Sequence, residues 1–306
     1  IPVPAPAVRR PAMTAGVWGS DTLVRVVTAA VVVPILVALI WIHWLDVALL
    51  VAAVLLAWQA GREYARLAGR LCPAAGGRLV PLLSGGTVLW TGIVLRSGLA
   101  GGDELPQLRV LTAVFLVLAG VRMASSDRDI VALGLDFLGV VYTGGLFSYL
   151  VVLHNTDPCG PGLITFLLVV VAWSDTGAYF VGRKWGKHPM APRLSPKKTW
   201  EGAVGGLAGA ALSGVALAWL VRRLGWCASY PETCYLTWAA LAVLLSIVSQ
   251  WGDLFESMLK RAASVKDAGN VFPGHGGVLD RCDGILFAAP VLYYICLLMP
   301  EFMTSC

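Results

Sequence analysis

Residues 236–256, LTWAALAVLLSIVSQWGDLFE, run into residues 257–283, SMLKRAASVKDAGNVFPGHGGVLDRCD, after which the chain is apolar again from 284 to 300. The first block is long enough to cross a hydrocarbon core of roughly 30 Å, which takes about 20 helical residues, yet it closes on Asp253 and Glu256. The second block packs four cations, three carboxylates and the turn PGHGG between two apolar segments. Charge beside a bilayer is costly unless it pairs, binds a ligand or reaches water, so such a cluster marks a functional site. Its mixture of cations, oxygen donors and glycines points to phosphate and a metal ion.

Working outward, the composition repeats this reading over the whole chain. Of 306 residues, 58% are apolar and only 13% charged, with a mean hydropathy of +0.75, against about 25% charged in soluble domains. The class expected is an all-α, polytopic integral membrane protein. Apolar windows centre on 24–42, 46–60, 79–95, 108–122, 139–154, 163–181, 202–224, 236–256 and 284–300, which gives about nine transmembrane helices. The proline-rich start, IPVPAPAVRRPAMTAGVWGSD, reads as a mobile tail over residues 1–20, without a signal-peptide cleavage site after the first apolar stretch. With the N-terminus in the cytoplasm, every Lys and Arg of the 23 except Arg96, Arg109, Arg222 and Arg223 falls on the cytoplasmic side, the bias that orients membrane proteins. The net charge of +5 is then a topology signal with some attraction to anionic lipid, and nothing calls for nucleic acid.

The seven cysteines form no CxxC pair, and His43, His154, His188 and His275 form no HExxH, so a zinc enzyme is not expected. Cys227 and Cys234, on the outer side in this topology, could form a loop disulfide or stay free thiols.

Polarity divides the chain. Residues 21–160 read as a transmembrane scaffold, in which the loop Gly61–Arg78, with four arginines and no conspicuous acceptor, suits topology and lipid contact. Residues 161–306 read as the catalytic region, because its spans carry acids. Three segments stand out there. In WSDTGAYFVGRKWGKH, 173–188, Asp175 sits inside a span; the segment lacks GxxxxGK[ST] and is not a Walker loop. A metal or nucleotide role for Asp175 competes with a plain ion pair. In LSPKKTWEG, 194–202, Ser195 and Pro196 have the grammar of a helix start, which would put Lys197 and Lys198 in the first turn against the helix dipole, a place suited to holding phosphate. Downstream, Gly202, Gly205, Gly206, Gly209, Ala210 and Ser213 offer a small-residue surface for close helix packing. In the third segment Asp253, Ser257 and Lys260 share a helix face, as do Asp280 and Asp283. These acids could supply oxygen ligands to Mg²⁺. Lys260, Arg261, Lys266 and Arg281 could neutralise phosphate oxygens.

In these motifs the chain resembles the CDP-diacylglycerol synthases, or phosphatidate cytidylyltransferases. The resemblance rests on S-x-x-K-R-x4-K-D, P-G-H-G-G and D-R-x-D, met here by Ser257, Lys260, Arg261, Lys266, Asp267, Pro273–Gly277, Asp280, Arg281 and Asp283, and on D-T-x-A-Y at 175–179 and S-P-K-K-T-x-E-G at 195–202. It covers roughly the last half of the chain; the first half is similar in hydropathy alone. Cys282 departs from the usual branched aliphatic or Thr, as a small apolar stand-in. The resemblance implies transfer of a cytidylyl group from CTP to phosphatidate, with release of CDP-diacylglycerol and pyrophosphate. It implies Mg²⁺ and a second cation such as K⁺, a bacterial-type inner membrane, an active site on its cytoplasmic side, and an assembly open between monomer and homodimer. By the matching motifs, Asp253, Asp280 and Asp283 are the expected metal ligands. Lys260, Arg261 and Arg281 join them as catalytic residues, and Asp175, Ser195, Lys197, Lys198, Ser257, Lys266, Asp267, Gly274, His275, Gly276 and Gly277 as substrate-binding ones. From the residues alone two alternatives stay open: a transferase or kinase acting on a lipid alcohol, and a transporter whose intramembrane acids line a path, although no repeated halves are apparent.

Overall fold

The computed structural model describes residues 34–42, 45–97, 106–125, 129–156, 160–224, 234–269, 271 and 276–299. Residues 34–41 are helical, followed by α1 (Asp46–Leu71), α2 (Leu79–Ser97), α3 (Pro106–Ala124), α4 (Ile130–His154), α5 (Gly160–Trp185), α6 (Trp200–Leu224), α7 (Tyr235–Ala262) and α8 (Leu279–Leu298). A two-stranded antiparallel hairpin, β1 (Pro189–Ala191) and β2 (Ser195–Thr199), joins α5 to α6. Among the described residues seven helices are long and apolar enough to cross a membrane, namely all but α3 and the 34–41 segment. The chain is thus an all-helical integral membrane protein. The first expected span and the tail lie largely outside the described residues, as do Cys227, Gly274 and His275.

Large apolar side chains such as Leu116, Leu212 and Leu236 point outward, as they must where the solvent is lipid; helices then associate through close packing rather than through apolar burial. Two apolar clusters do this work. One joins α1, α2 and α4 to the end of α7 and the start of α8 through Tyr64, Val80, Tyr142, Leu259, Leu279 and Leu286. Here a π-helical turn at Val141–Gly145 within α4 presents Tyr142 edge-on to Phe255, 5.1 Å away. The other joins α5, α6, the first half of α7 and the end of α8 around Phe166, Trp238 and Leu292. The apolar residues of the charged block, Leu259, Ala263, Ala268, Val278 and Leu279, belong to the first cluster, so the scaffold half packs directly on it. Cys282 packs against the first cluster.

The most extensive seam is α5 on α6. A Cβ added at Gly177 would lie 2.5 Å from the Gly205 carbonyl oxygen, and one at Gly209 would lie 2.6 Å from that of Trp173. The small residues at this spacing let two backbones touch. Gly209→Ala is expected to cost about 1–3 kcal/mol, as overpacked cores do, read as a lower midpoint of thermal unfolding in detergent; an unchanged midpoint would mean that the seam yields.

The structure corrects one reading. Ser195 does not cap a helix: residues 195–199 pair as β2 with β1, and α6 begins at Trp200. Thr199 is the residue that receives a helical N–H, from Gly202 at 3.2 Å. Lys197 and Lys198 consequently project from a hairpin rather than from a helical first turn. At the base of that hairpin Glu201 accepts the N–H groups of Lys187 (3.1 Å) and His188 (3.2 Å) and meets the His188 ring at 2.5 Å.

Candidate active site

On α5, residues 175, 178, 179, 182 and 183 recur at helical spacing and so share one face. That face, with Met190 and Lys197–Thr199 of the hairpin, Gly202 and Ala203 of α6, and Gln250 and Asp253 of α7, encloses a cavity of about 570 Å³. Behind Gln250, which lines it, the Ser174 and Ser246 hydroxyls meet at 2.6 Å, and the Gln250 amide donates to the Ser246 hydroxyl at 3.3 Å and the Ala203 carbonyl at 3.4 Å. The charged lining comprises Arg183, Lys197 and Lys198 against Asp175 and Asp253. Lys198 Nζ lies 2.5 Å from Asp253 Oδ2, so hairpin and α7 are tied across the cavity. A surplus of cations in a pocket walled by apolar helices suits a polyanion, whose charge is felt strongly where water is scarce.

Asp253 also belongs to a second group. One carboxylate oxygen from each of Asp253, Glu256 and Asp283 lies within 4.8 Å of the others. Asp253 and Glu256 are one turn apart on α7, and Asp283 is brought beside them because α7 and α8 touch through glycines: a Cβ at Gly252 would strike the Asp283 backbone, and one at Gly284 the Ser249 side chain. Glu256 is 1% exposed, and its Oε1 is buried without a hydrogen-bond partner among the described residues. Three converging carboxylates with a buried orphan oxygen form a hard, anionic donor set, which fits a divalent cation such as Mg²⁺.

The set differs from the sequence expectation at one member. Asp280 is not in it, because its oxygens are already committed: Oδ1 accepts from Lys260 Nζ at 2.8 Å, and Oδ2 from the N–H groups of Ala268 at 3.0 Å and Gly277 at 2.9 Å. Glu256 takes the place beside Asp253 and Asp283. The signal that could have found it is its position three residues after Asp253 in an otherwise apolar span. Lys260 also donates to Glu256 Oε2 at 2.6 Å, and so bridges the carboxylate group to the loop anchored by Asp280. Gly276, at φ +83, makes the left-handed turn within that loop, and a Cβ there would lie 3.0 Å from Asp280 Oδ2.

Of the other expected residues, Asp175, Lys197 and Lys198 line the cavity. Asp175 is within electrostatic range of Asp253, Lys198 and Arg281. Ser195 and Ser257 do not line it, and Lys266 and Asp267 are exposed on the loop. Arg261 Nε donates to the Leu194 carbonyl at 3.1 Å, which fastens the hairpin tip to α7 and spends part of the guanidinium on backbone. Tyr179, the last residue of the D-T-x-A-Y motif, also lines the cavity, as do Arg183 and Gln250, which no motif singled out. The arginine-rich loop also holds an acceptor after all: Glu63 of α1, 0% exposed, binds the N–H groups of Val278 and Leu279 at the start of α8.

The model of the cytidylyltransferase family matches residues 23–299. The phosphatidate cytidylyltransferase of Brucella suis biovar 1 is 44% identical over 186 residues, 60% of this chain and 64% of that protein. That of Bacillus subtilis strain 168 is 37% identical over 194 residues, 63% of this chain and 69% of the relative. That of a Synechocystis strain is 45% identical over 140 residues, 45% of each chain. The alignment thus spans a little under two thirds of the Brucella protein's length.

Proposed function

The chain belongs to the cytidylyltransferase family, and from that premise we propose that it transfers the cytidylyl group of CTP to phosphatidate, forming CDP-diacylglycerol and pyrophosphate. The observation that carries this reading is that Asp253 serves both the cation-lined cavity and the three-carboxylate group, which puts a polyanion pocket and a divalent-metal site side by side among membrane helices.

An oxygen of the phosphatidate phosphate forms a bond to the α-phosphorus of CTP as the bond from that phosphorus to the bridging oxygen breaks, and pyrophosphate leaves with the electron pair. The attacking phosphate is already ionised, so the site needs no strong base, and its task is to place the reactants and stabilise charge. Lys197, Lys198 and Arg183 take phosphate oxygens in the cavity. Asp253, Glu256 and Asp283 would hold Mg²⁺, which supplies Lewis-acid stabilisation of phosphoryl oxygens. Lys260 keeps Glu256 aimed at that point, and Asp280 holds Ala268 and Gly277 through their backbone N–H groups. A second cation such as K⁺ is part of the reading, although no second set of converging side chains is seen among the described residues. The cationic hairpin, the ends of α1, α5 and α7 and the start of α8 gather at one end of the bundle, which supports placing the site on the cytoplasmic face of a bacterial inner membrane.

The test is pyrophosphate release by the purified protein in detergent with CTP, with and without Mg²⁺ and phosphatidate. Release that needs all three supports the assignment; release with a lipid alcohol in place of phosphatidate, or none with either, overturns it. Lys198→Ala is expected to lower kcat/KM by about 10- to 100-fold, the worth of one hydrogen bond to a charged group at roughly 1.5–3 kcal/mol. An unaltered kcat/KM would remove Lys198 from the phosphate site.

A further inference from the structure

Three successive backbone N–H groups at the entrance to α8 are divided between two carboxylates. Gly277 donates to Asp280, whereas Val278 donates to Glu63 Oε1 at 3.1 Å and Leu279 to Glu63 Oε2 at 2.8 Å. Val278, the residue preceding α8, offers no side-chain cap, so α8 takes its cap from α1, more than two hundred residues earlier in the chain. A carboxylate there satisfies free N–H groups and meets the positive end of the helix dipole. Gln59 donates to Glu63 Oε1 at 3.1 Å and holds the carboxylate in place from within α1. The loop is shaped to receive it, since a Cβ at either Gly269 or Gly277 would lie 2.6 Å from Glu63 Cδ.

The first turn of α8 so fixed carries Asp280, and the turn that continues from it carries Asp283. The hydrogen-bond partners of Glu63 among the described residues lie outside the cavity lining. Its grip nevertheless sets where Asp283 stands relative to Asp253 and Glu256 on α7, and a metal site is sensitive to small displacements of one ligand. We propose that Glu63 is a positioning residue of the active site, a cap supplied by the first half of the chain that places Asp283 for the divalent cation. This rests on the metal reading given above.

The experiment is a Mn²⁺ titration of the full chain in detergent, followed by the electron paramagnetic resonance signal of free Mn²⁺, on the wild type, Asp283→Asn, Glu63→Gln and Gly277→Ala. The folded fraction is measured on each sample, and kcat and KM beside it. Glu63→Gln keeps the shape but turns an amide toward an N–H group; it is expected to raise the Mn²⁺ Kd about tenfold or more and to lower kcat similarly, with the KM for phosphatidate within about twofold. Gly277→Ala, which crowds the same carboxylate from the other side, is expected to do likewise. Wild-type Mn²⁺ affinity in folded Glu63→Gln and Gly277→Ala overturns the proposal, as does a loss that merely tracks a smaller folded fraction. Failure of the wild type to bind Mn²⁺, or full binding by Asp283→Asn, refutes instead the metal reading beneath it.

Discussion

Asp283→Asn is expected to abolish turnover while the protein still unfolds cooperatively in detergent. The substitution keeps the shape of the side chain and removes one of three carboxylates that meet within 4.8 Å. In the resting protein those charges repel one another, and the neutral amide relieves that repulsion, so the unfolding midpoint should hold or rise. On the proposed mechanism the same change would take a charged ligand from the metal site when phosphoryl charge must be stabilised. The loss should be about a thousandfold or more, on the order of 4 kcal/mol of transition-state stabilisation. Pyrophosphate release and a thermal melt on the same preparation separate the two effects. Turnover within tenfold of the wild type would sink the metal assignment, and a collapse of the melt would make Asp283 a folding residue instead.

Lys260→Met is the change expected to cost most in stability. Its ammonium lies 2.6 Å from Glu256 and 2.8 Å from Asp280, and its side chain is only 13% exposed. Removing it leaves two poorly solvated carboxylates without their common counter-ion; breaking a buried pair in this way costs about 3–5 kcal/mol. Two tethers loosen together, the one that aims Glu256 and the one that lets Asp280 fold the loop through Ala268 and Gly277. Thermal unfolding and protease sensitivity of the chain between α7 and α8 should therefore change in parallel. A variant that melts with the wild type and resists protease equally would show that the bridge carries no such weight.

Periodicity and hydropathy were enough to read the helical architecture. The spans expected after the first each fall on a helix from α1 to α8, because an apolar run bounded by charge leaves few other structures in lipid. Asp175, Lys197, Lys198, Asp253 and Asp283 could be picked out because a charge in an apolar segment is conspicuous. What was not legible had physical reasons. The segment SPKKT carries helix-start residues, but pairing with Pro189–Ala191 satisfies its backbone as a strand, and the competition between those outcomes is decided by tertiary contact. Asp280 and Asp283 look equivalent in the sequence; only the folded loop shows that backbone N–H groups and Lys260 have occupied the first. Glu63 sits among arginines that draw the eye, and its partners lie at the far end of the chain, beyond the reach of any local pattern.

The glycine seam between α5 and α6 has a mechanical consequence. Where backbone rests on backbone there are no rotamers to change, so the two helices behave as a single stiff plate bearing Asp175, Gly182, Gly202 and Ala203. Facing that plate across the cavity is the short hairpin, held at its base by His188 and Glu201 and at its tip by Arg261.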